Sequence, residues 1–133
     1  MGATRILLIG ETDAPTVTHC RNCLRDYGFE TICVQPNGGA PVARHERPDV
    51  VIVDVPSGCE DARRLKADAS TADIPIVAMG DPTSEQIEMG ASAHCDAFVC
   101  KPCIAEELVG CIKALMSDAR VISAARDVRE PAA

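Results

Sequence analysis

Aromatic residues are nearly missing from this chain: Tyr27, Phe29 and Phe98 are all it has, and there is no tryptophan. Val, Ile, Leu, Ala and Cys must therefore fill the core, and the lack of stacking platforms argues against nucleic-acid binding through base stacking. An excess of positive charge is missing too. Thirteen Lys and Arg stand against 20 Asp and Glu, a formal net charge of −7, the reverse of what a nucleic-acid-binding face requires. No apolar run approaches the ~20 residues of a membrane-crossing helix. The first apolar run, from Ile6 to Gly10, is too short for the h-region of a secretory signal and no cleavage site follows it. The expected location is therefore cytoplasmic, without membrane or nucleic-acid partners. The chain shows no internal repeat and no low-complexity segment.

What is present is a chain of 133 residues, enough for one domain with a proper core. Short apolar runs alternate with helical periodicity. Strands are expected at Arg5 to Gly10, Phe29 to Val34, Val50 to Asp54, Ile74 to Met79 and Ala97 to Cys100. Pro15 to Tyr27 reads as a helix, with Thr16, Cys20, Cys23, Leu24 and Tyr27 on one stripe and Gly28 as its terminating glycine. Further helices are expected at Ala40 to Glu46, Cys59 to Ala69 and Thr83 to Ala91, and the last along Ile104, Leu108, Cys111 and Leu115. Five strands alternating with helices imply a doubly wound parallel sheet with helices on both faces.

Such sheets place their sites at the carboxyl ends of the strands. Asp54 ends the run Val50-Val51-Ile52-Val53 and is followed by Val55, Pro56, Ser57 and Gly58. The first strand runs into Glu11-Thr12-Asp13, and the last delivers Lys101 and Pro102. Two acidic tips and a lysine tip on one sheet describe a pocket for an anion or a metal. Taken singly, Asp54 could be a turn aspartate, Lys101 a solvated strand end, and Glu11 and Asp13 first-turn acids favoured by the helix dipole. Their convergence on one sheet edge favours a site.

Eight cysteines are many for a reduced compartment: Cys20, Cys23, Cys33, Cys59, Cys95, Cys100, Cys103 and Cys111. Strong core runs and no export signal argue against a disulfide scaffold. The pairs Cys20/Cys23 and Cys100/Cys103, with His19 and His94 nearby, raise zinc or redox chemistry as a competing reading. The first pair lies on a core stripe, however, where thiols serve as small apolar filler. Reduced, buried thiols are expected, with Cys20, Cys23 and Cys111 pointing inward. His45 and the pair Arg63-Arg64 read as solvated surface.

With this order of elements, the segments Asp49-Val50-Val51-Ile52-Val53-Asp54, Asp73-Ile74-Pro75-Ile76-Val77 and Asp96-Ala97-Phe98-Val99-Cys100-Lys101-Pro102 resemble the receiver domain of bacterial two-component response regulators. The resemblance covers roughly residues 5–116. It implies a flavodoxin-like sheet in the order 2-1-3-4-5, a receiver domain over residues 1–118, and a helix extension or mobile tail over 119–133. It further implies no enzymatic effector but a phosphorelay module. Asp54 would accept a phosphoryl group from a histidine kinase or phosphotransfer protein, and Lys101 would stabilise it. Mg²⁺ would be held by Glu11, Asp13, Asp54 and the Pro56 carbonyl. Output would pass to a downstream protein partner through the fourth strand, the helix after it, the fifth strand and the last helix.

The chain departs from the family pattern at three places. Glu11 and Thr12 stand where two aspartates are usual, and about four residues are missing after Asp54. Gly80 replaces a hydroxyl residue of the conformational switch, in which Phe98 is the aromatic partner. A degenerate receiver working as a phosphorylation-independent interaction module is therefore the alternative.

Overall fold

A computed structural model describes residues 3–102 and 104–117. Ten elements alternate along the chain: β1 Arg5–Ile9, α1 Pro15–Asp26, β2 Glu30–Val34, α2 Gly39–Glu46, β3 Val50–Asp54, α3 Cys59–Ala67, β4 Ile76–Gly80, α4 Ser84–Ser92, β5 Ala97–Cys100 and α5 Ala105–Ser117. All four strand pairings are parallel and the sheet order is β2-β1-β3-β4-β5. The expected doubly wound sheet and its strand order are thus the observed ones. The assignment of residues 119–133 to a tail, and the inclusion of Cys103 in a thiol pair, fall outside the described residues.

The strands read as continuous apolar runs because both faces of the sheet are covered. Ile6 and Leu8 of β1, with Val50 and Ile52 of β3, pack against Val17, Cys20 and Leu24 of α1 and Leu108, Val109 and Ile112 of α5. Their alternating neighbours Leu7, Ile9, Val51 and Val53 face the other way, onto Ala43, Ala62, Leu65 and Ala93. Removing an aliphatic side chain from either layer would cost roughly 2–5 kcal/mol.

Three polar devices, two of them buried, fix how the layers meet. Asp61, in the first turn of α3 and inaccessible to solvent, accepts the backbone N–H groups of Asn37 at 2.8 Å and Gly39 at 3.0 Å. It therefore serves as a cap for α2 supplied from another helix, satisfying donors that helix starts leave open. Thr71 donates to the Leu65 carbonyl at 2.7 Å and closes the end of α3. At the sheet edge opposite the candidate site, Lys66 donates to Asp96 at 2.9 Å and to the carbonyls of Ala72 and Ile74. Asp96 in turn accepts the Ile76 N–H at 2.8 Å, tying the entries of β4 and β5 to α3.

β4 starts two residues later than the apolar run from Ile74 suggests. Ile74 donates its N–H to Thr71 in the preceding turn, and Pro75 contributes only its carbonyl, which accepts the Val51 N–H at 2.9 Å. At the other end Gly80 belongs to the strand, paired with Cys100. β3 and β5 have the expected bounds, and the remaining boundaries differ by a residue or two.

The path of the chain sets where a site can form. From β1 it moves outward to β2, then returns past β1 to β3, so the crevice at the carboxyl ends of β1 and β3 is the switch point of the sheet. Asp54 opens onto it.

Candidate functional site

Asp54 is the last residue of β3, directly beside Met79 of β4. Lys101 follows β5 and donates its N–H to the Gly80 carbonyl at 2.8 Å, which carries its side chain back over the sheet edge. The result is an ion pair: Lys101 Nζ stands 2.6 Å from Asp54 Oδ1. The ammonium also lies 3.5 Å from the Val55 carbonyl. Oδ1 is closed to solvent and lacks a partner of hydrogen-bonding geometry, so its contact with Lys101 is Coulombic. The other oxygen, Oδ2, accepts the Ser57 hydroxyl at 3.2 Å. The Asp54 side chain keeps 15% of its surface in water. Both the Val55–Pro56 and the Lys101–Pro102 peptide bonds are cis.

Two glycines shape the approaches to this carboxylate. A Cβ on Gly10 would stand 3.0 Å from Asp54 Cβ and 2.9 Å from Val17 Cγ2, so only glycine lets the tip of β1 close on Asp54. Gly58 donates its N–H to the Asp54 carbonyl at 2.6 Å, and a Cβ there would meet Val53 Cβ at 2.9 Å. This is how the shortened connection after Asp54 turns directly into α3. The Pro56 carbonyl accepts the Cys59 N–H at 3.1 Å and so takes part in the first turn of that helix.

The acidic residues after β1 are arranged differently from the expectation. Glu11 and Asp13 are exposed. Thr12 accepts a hydrogen bond from Gln35 Nε2 at 2.7 Å and is directed toward the end of β2. Among the described residues no three His, Cys, Asp or Glu side chains converge on one centre. Asp54 itself is occupied by an ammonium and a hydroxyl. The expected Mg²⁺ ligands Glu11, Asp13 and Asp54 are therefore not gathered on one centre in this structure. The physical reason lies after β1, where Glu11 and Asp13 are exposed and Thr12, engaged by Gln35, carries no carboxylate.

Gly80 and Phe98, the expected switch pair, are in direct contact. A Cβ on Gly80 would lie 3.1 Å from Phe98 Cζ, 3.0 Å from Val55 Cβ and 2.8 Å from Gln86 Oε1. A Cβ on Gly90 of α4 would lie 3.2 Å from Phe98 Cδ2 and 3.1 Å from Ala78 Cβ. The Phe98 ring thus occupies a slot between two glycines and takes the space a larger residue 80 would need.

Two participants escaped sequence reading. Ser57 stands three residues after Asp54, where a hydroxyl can fold back onto the carboxylate. Gln86 is signalled by the pattern Thr83-x-x-Gln86, a helix capping box. The thiols divide. Cys20 is buried in the α1 layer and Cys111 packs against it. Cys23, expected in the core, instead turns partly outward, its Sγ 3.5 Å from His19 Nε2. One helical turn separates the two residues, and the stripe of α1 is narrower than the periodicity suggested. Burial pushes the thiols of Cys33, Cys59 and Cys111 above the usual cysteine range, and that of Cys95 up to about 12.

The fold and the site define the class: a doubly wound parallel sheet with an aspartate–lysine ion pair at its switch point. No family model matches the chain. The phosphate regulon transcriptional regulatory protein PhoB of Pseudomonas aeruginosa is 31% identical over 118 residues, which are 84% of this chain and 52% of that protein. Protein PilH of the same organism is 28% identical over 120 residues, covering 85% of this chain and 98% of PilH. The receiver domain of a P. aeruginosa sensor histidine kinase, with magnesium coordinated in its active-site cleft, superposes with a TM-score of 0.78. That likeness spans 88% of this chain and 100% of that domain at 22% identity. The chain is a receiver domain of the response-regulator family. It spans about half the length of PhoB.

Proposed function

We propose that this receiver accepts a phosphoryl group on Asp54 from the phosphohistidine of a histidine kinase or phosphotransfer protein. The observation that carries the reading is the Asp54–Lys101 pair, 2.6 Å apart at the switch point of the sheet. In the transfer, Asp54 Oδ2 bonds to phosphorus as the P–N bond of the donor breaks and its electron pair returns to the imidazole. Charge builds on the equatorial oxygens of the transferring group. A fixed cation beside them is worth most in a site shielded from water, and Lys101 is that cation. The Ser57 hydroxyl leaves Oδ2 as the new bond forms and is free to donate to a phosphoryl oxygen. Because the acids after β1 do not converge, charge compensation is assigned to Lys101.

Output then passes by docking to a protein partner. Ile87 of α4 and Ile104 before α5 are exposed apolar residues, at two of the elements that make up the face already expected.

The test is intact-mass measurement after incubation with acetyl phosphate, with Mg²⁺ and separately with a chelator. One added phosphoryl mass, lost in Asp54→Asn and formed roughly 100-fold more slowly in Lys101→Met, supports the reading. No adduct under either condition leaves the second reading, a phosphorylation-independent interaction module. That alternative is favoured by one observation, the Phe98 ring already seated between Gly80 and Gly90.

A further inference from the structure

Gln86 is the third residue of α4, and its backbone N–H donates to Thr83 Oγ1 at 3.2 Å, the first half of a capping box. In the ordinary box the side chain at this position reaches back to the N–H of the capping residue. Here it does not. Gln86 Oε1 accepts the N–H of Asp81 at 2.8 Å, two residues before the cap and next to the end of β4. Thr83 meanwhile donates its own N–H to the Asp81 carbonyl at 2.8 Å. The carboxamide has been drawn past the helix start onto the tip of the strand.

Its position there is defined by the glycine it covers. Gln86 Oε1 lies 2.8 Å from the point where residue 80 would carry a Cβ, closer than real side chains pack. A serine or threonine at position 80 and this placement of Gln86 exclude one another. Gly80 flanks Val55, the residue after Asp54: a Cβ added at position 80 would stand 3.0 Å from Val55 Cβ. The Asp81 hydrogen bond fixes which end of the carboxamide is oxygen, so Nε2 is the free end. Among the described residues no acceptor is hydrogen-bonded to it, although Gln86 is half-buried.

We infer that Gln86 Nε2 is a phosphoryl-binding donor of this receiver, standing in for the hydroxyl that Gly80 lacks. The inference rests on the acceptor reading of Asp54. It assigns one oxygen of an anion on Asp54 to Lys101 and another to the Gln86 amide. It also redirects the consequence of phosphorylation. The pull falls on the first turn of α4 and on Asp81, while Phe98 stays in its slot between Gly80 and Gly90.

The clean variant is Gln86→Glu. It keeps an oxygen for the Asp81 N–H and the Thr83 cap, but presents no donor. Beryllofluoride is titrated into the full chain and followed by amide chemical shifts, with acetyl phosphate adducts followed by intact mass in parallel. Hydrogen bonds to charged groups are worth enough that the variant is expected to bind beryllofluoride roughly 10- to 100-fold more weakly. In the unchanged chain the largest shifts are expected at Asp81 and Gln86. Gln86→Leu, which fills similar volume without polar atoms, is expected to lose a similar factor, and its dispersed amide spectrum verifies the fold. An adduct on Asp54 with beryllofluoride affinities equal in all three proteins would overturn the role of Gln86 while leaving the acceptor reading standing. Absence of any adduct on the unchanged chain would overturn both.

Discussion

Asp61 shows what a single buried charge does here. Its two oxygens accept N–H groups of Asn37 and Gly39, and no solvent reaches it. Replacement by alanine leaves one buried and one part-buried donor unmet, at about 1–3 kcal/mol for a buried group. Asp61→Ala should therefore lower stability by roughly 2–4 kcal/mol, read from urea unfolding midpoints. Asp61→Asn keeps one acceptor and should lose about half as much; equal losses would show that the helix start does not depend on these bonds. Nothing in the sequence announced this role. Asp61 is 22 residues from Gly39 and reads as an ordinary first-turn acid. Gly80 is the opposite case, a residue whose lack of a side chain is used. Gly80→Ser must displace Gln86, Val55 or Phe98, and overpacking of this kind costs about 1–3 kcal/mol. A serine variant as stable as the parent chain would show that the carboxamide yields freely.

The elements read from the sequence were those whose local signals agree. β3 and β5 have the expected ends because a β-branched run is closed by turn formers or by Lys101-Pro102. β4 began late because Pro75 cannot donate to the ladder, and this depends on partner strands that a sequence window does not contain. The aspartate–lysine pair was legible because strand tips in a doubly wound sheet meet at one edge. The acids after β1 were not, because whether Glu11 and Asp13 point into the crevice depends on side-chain direction in a turn. At this scale α4 is held to the sheet by close approach: Gly90 lets it come within contact of Ala78 and the Phe98 ring. Gly90→Ala should push α4 outward by a few tenths of an ångström or dislodge Phe98. Faster hydrogen exchange at the α4 amides, with α1 unchanged, is the expected outcome. Uniform change across all helices would show instead a global loss of stability.

At the scale of the whole molecule, thiols take the place that aromatics fill in other cores. Cys59 lies in the layer of α2, α3 and α4 with Cys95 packed against it, while Cys33 and Cys111 border the layer of α1 and α5. Burial holds the proton on all four, most strongly on Cys95, whose thiol moves from 9.0 to about 12, with Cys59 and Asp96 nearby adding to the rise. The linkage has a definite sign. A thiol whose ionisation is postponed by folding contributes its stability fully below pH 9, where folded and unfolded chains are both protonated. Above that, the unfolded chain releases its proton first, so stability falls as pH rises toward about 12. Urea midpoints measured from pH 7 to 11 should therefore decline from about pH 9 upward. The thiols of Cys33, Cys59 and Cys111 contribute to the alkaline decline as well, so the informative quantity is the difference between the parent chain and Cys95→Ala. The variant should be less stable near neutrality, because a packed side chain has been trimmed, and should lose less with rising pH. The two curves should converge as the solution becomes alkaline. Parallel curves over the whole range would show that Cys95 titrates alike in the folded and unfolded chain, and that its burial places no thermodynamic load on the proton.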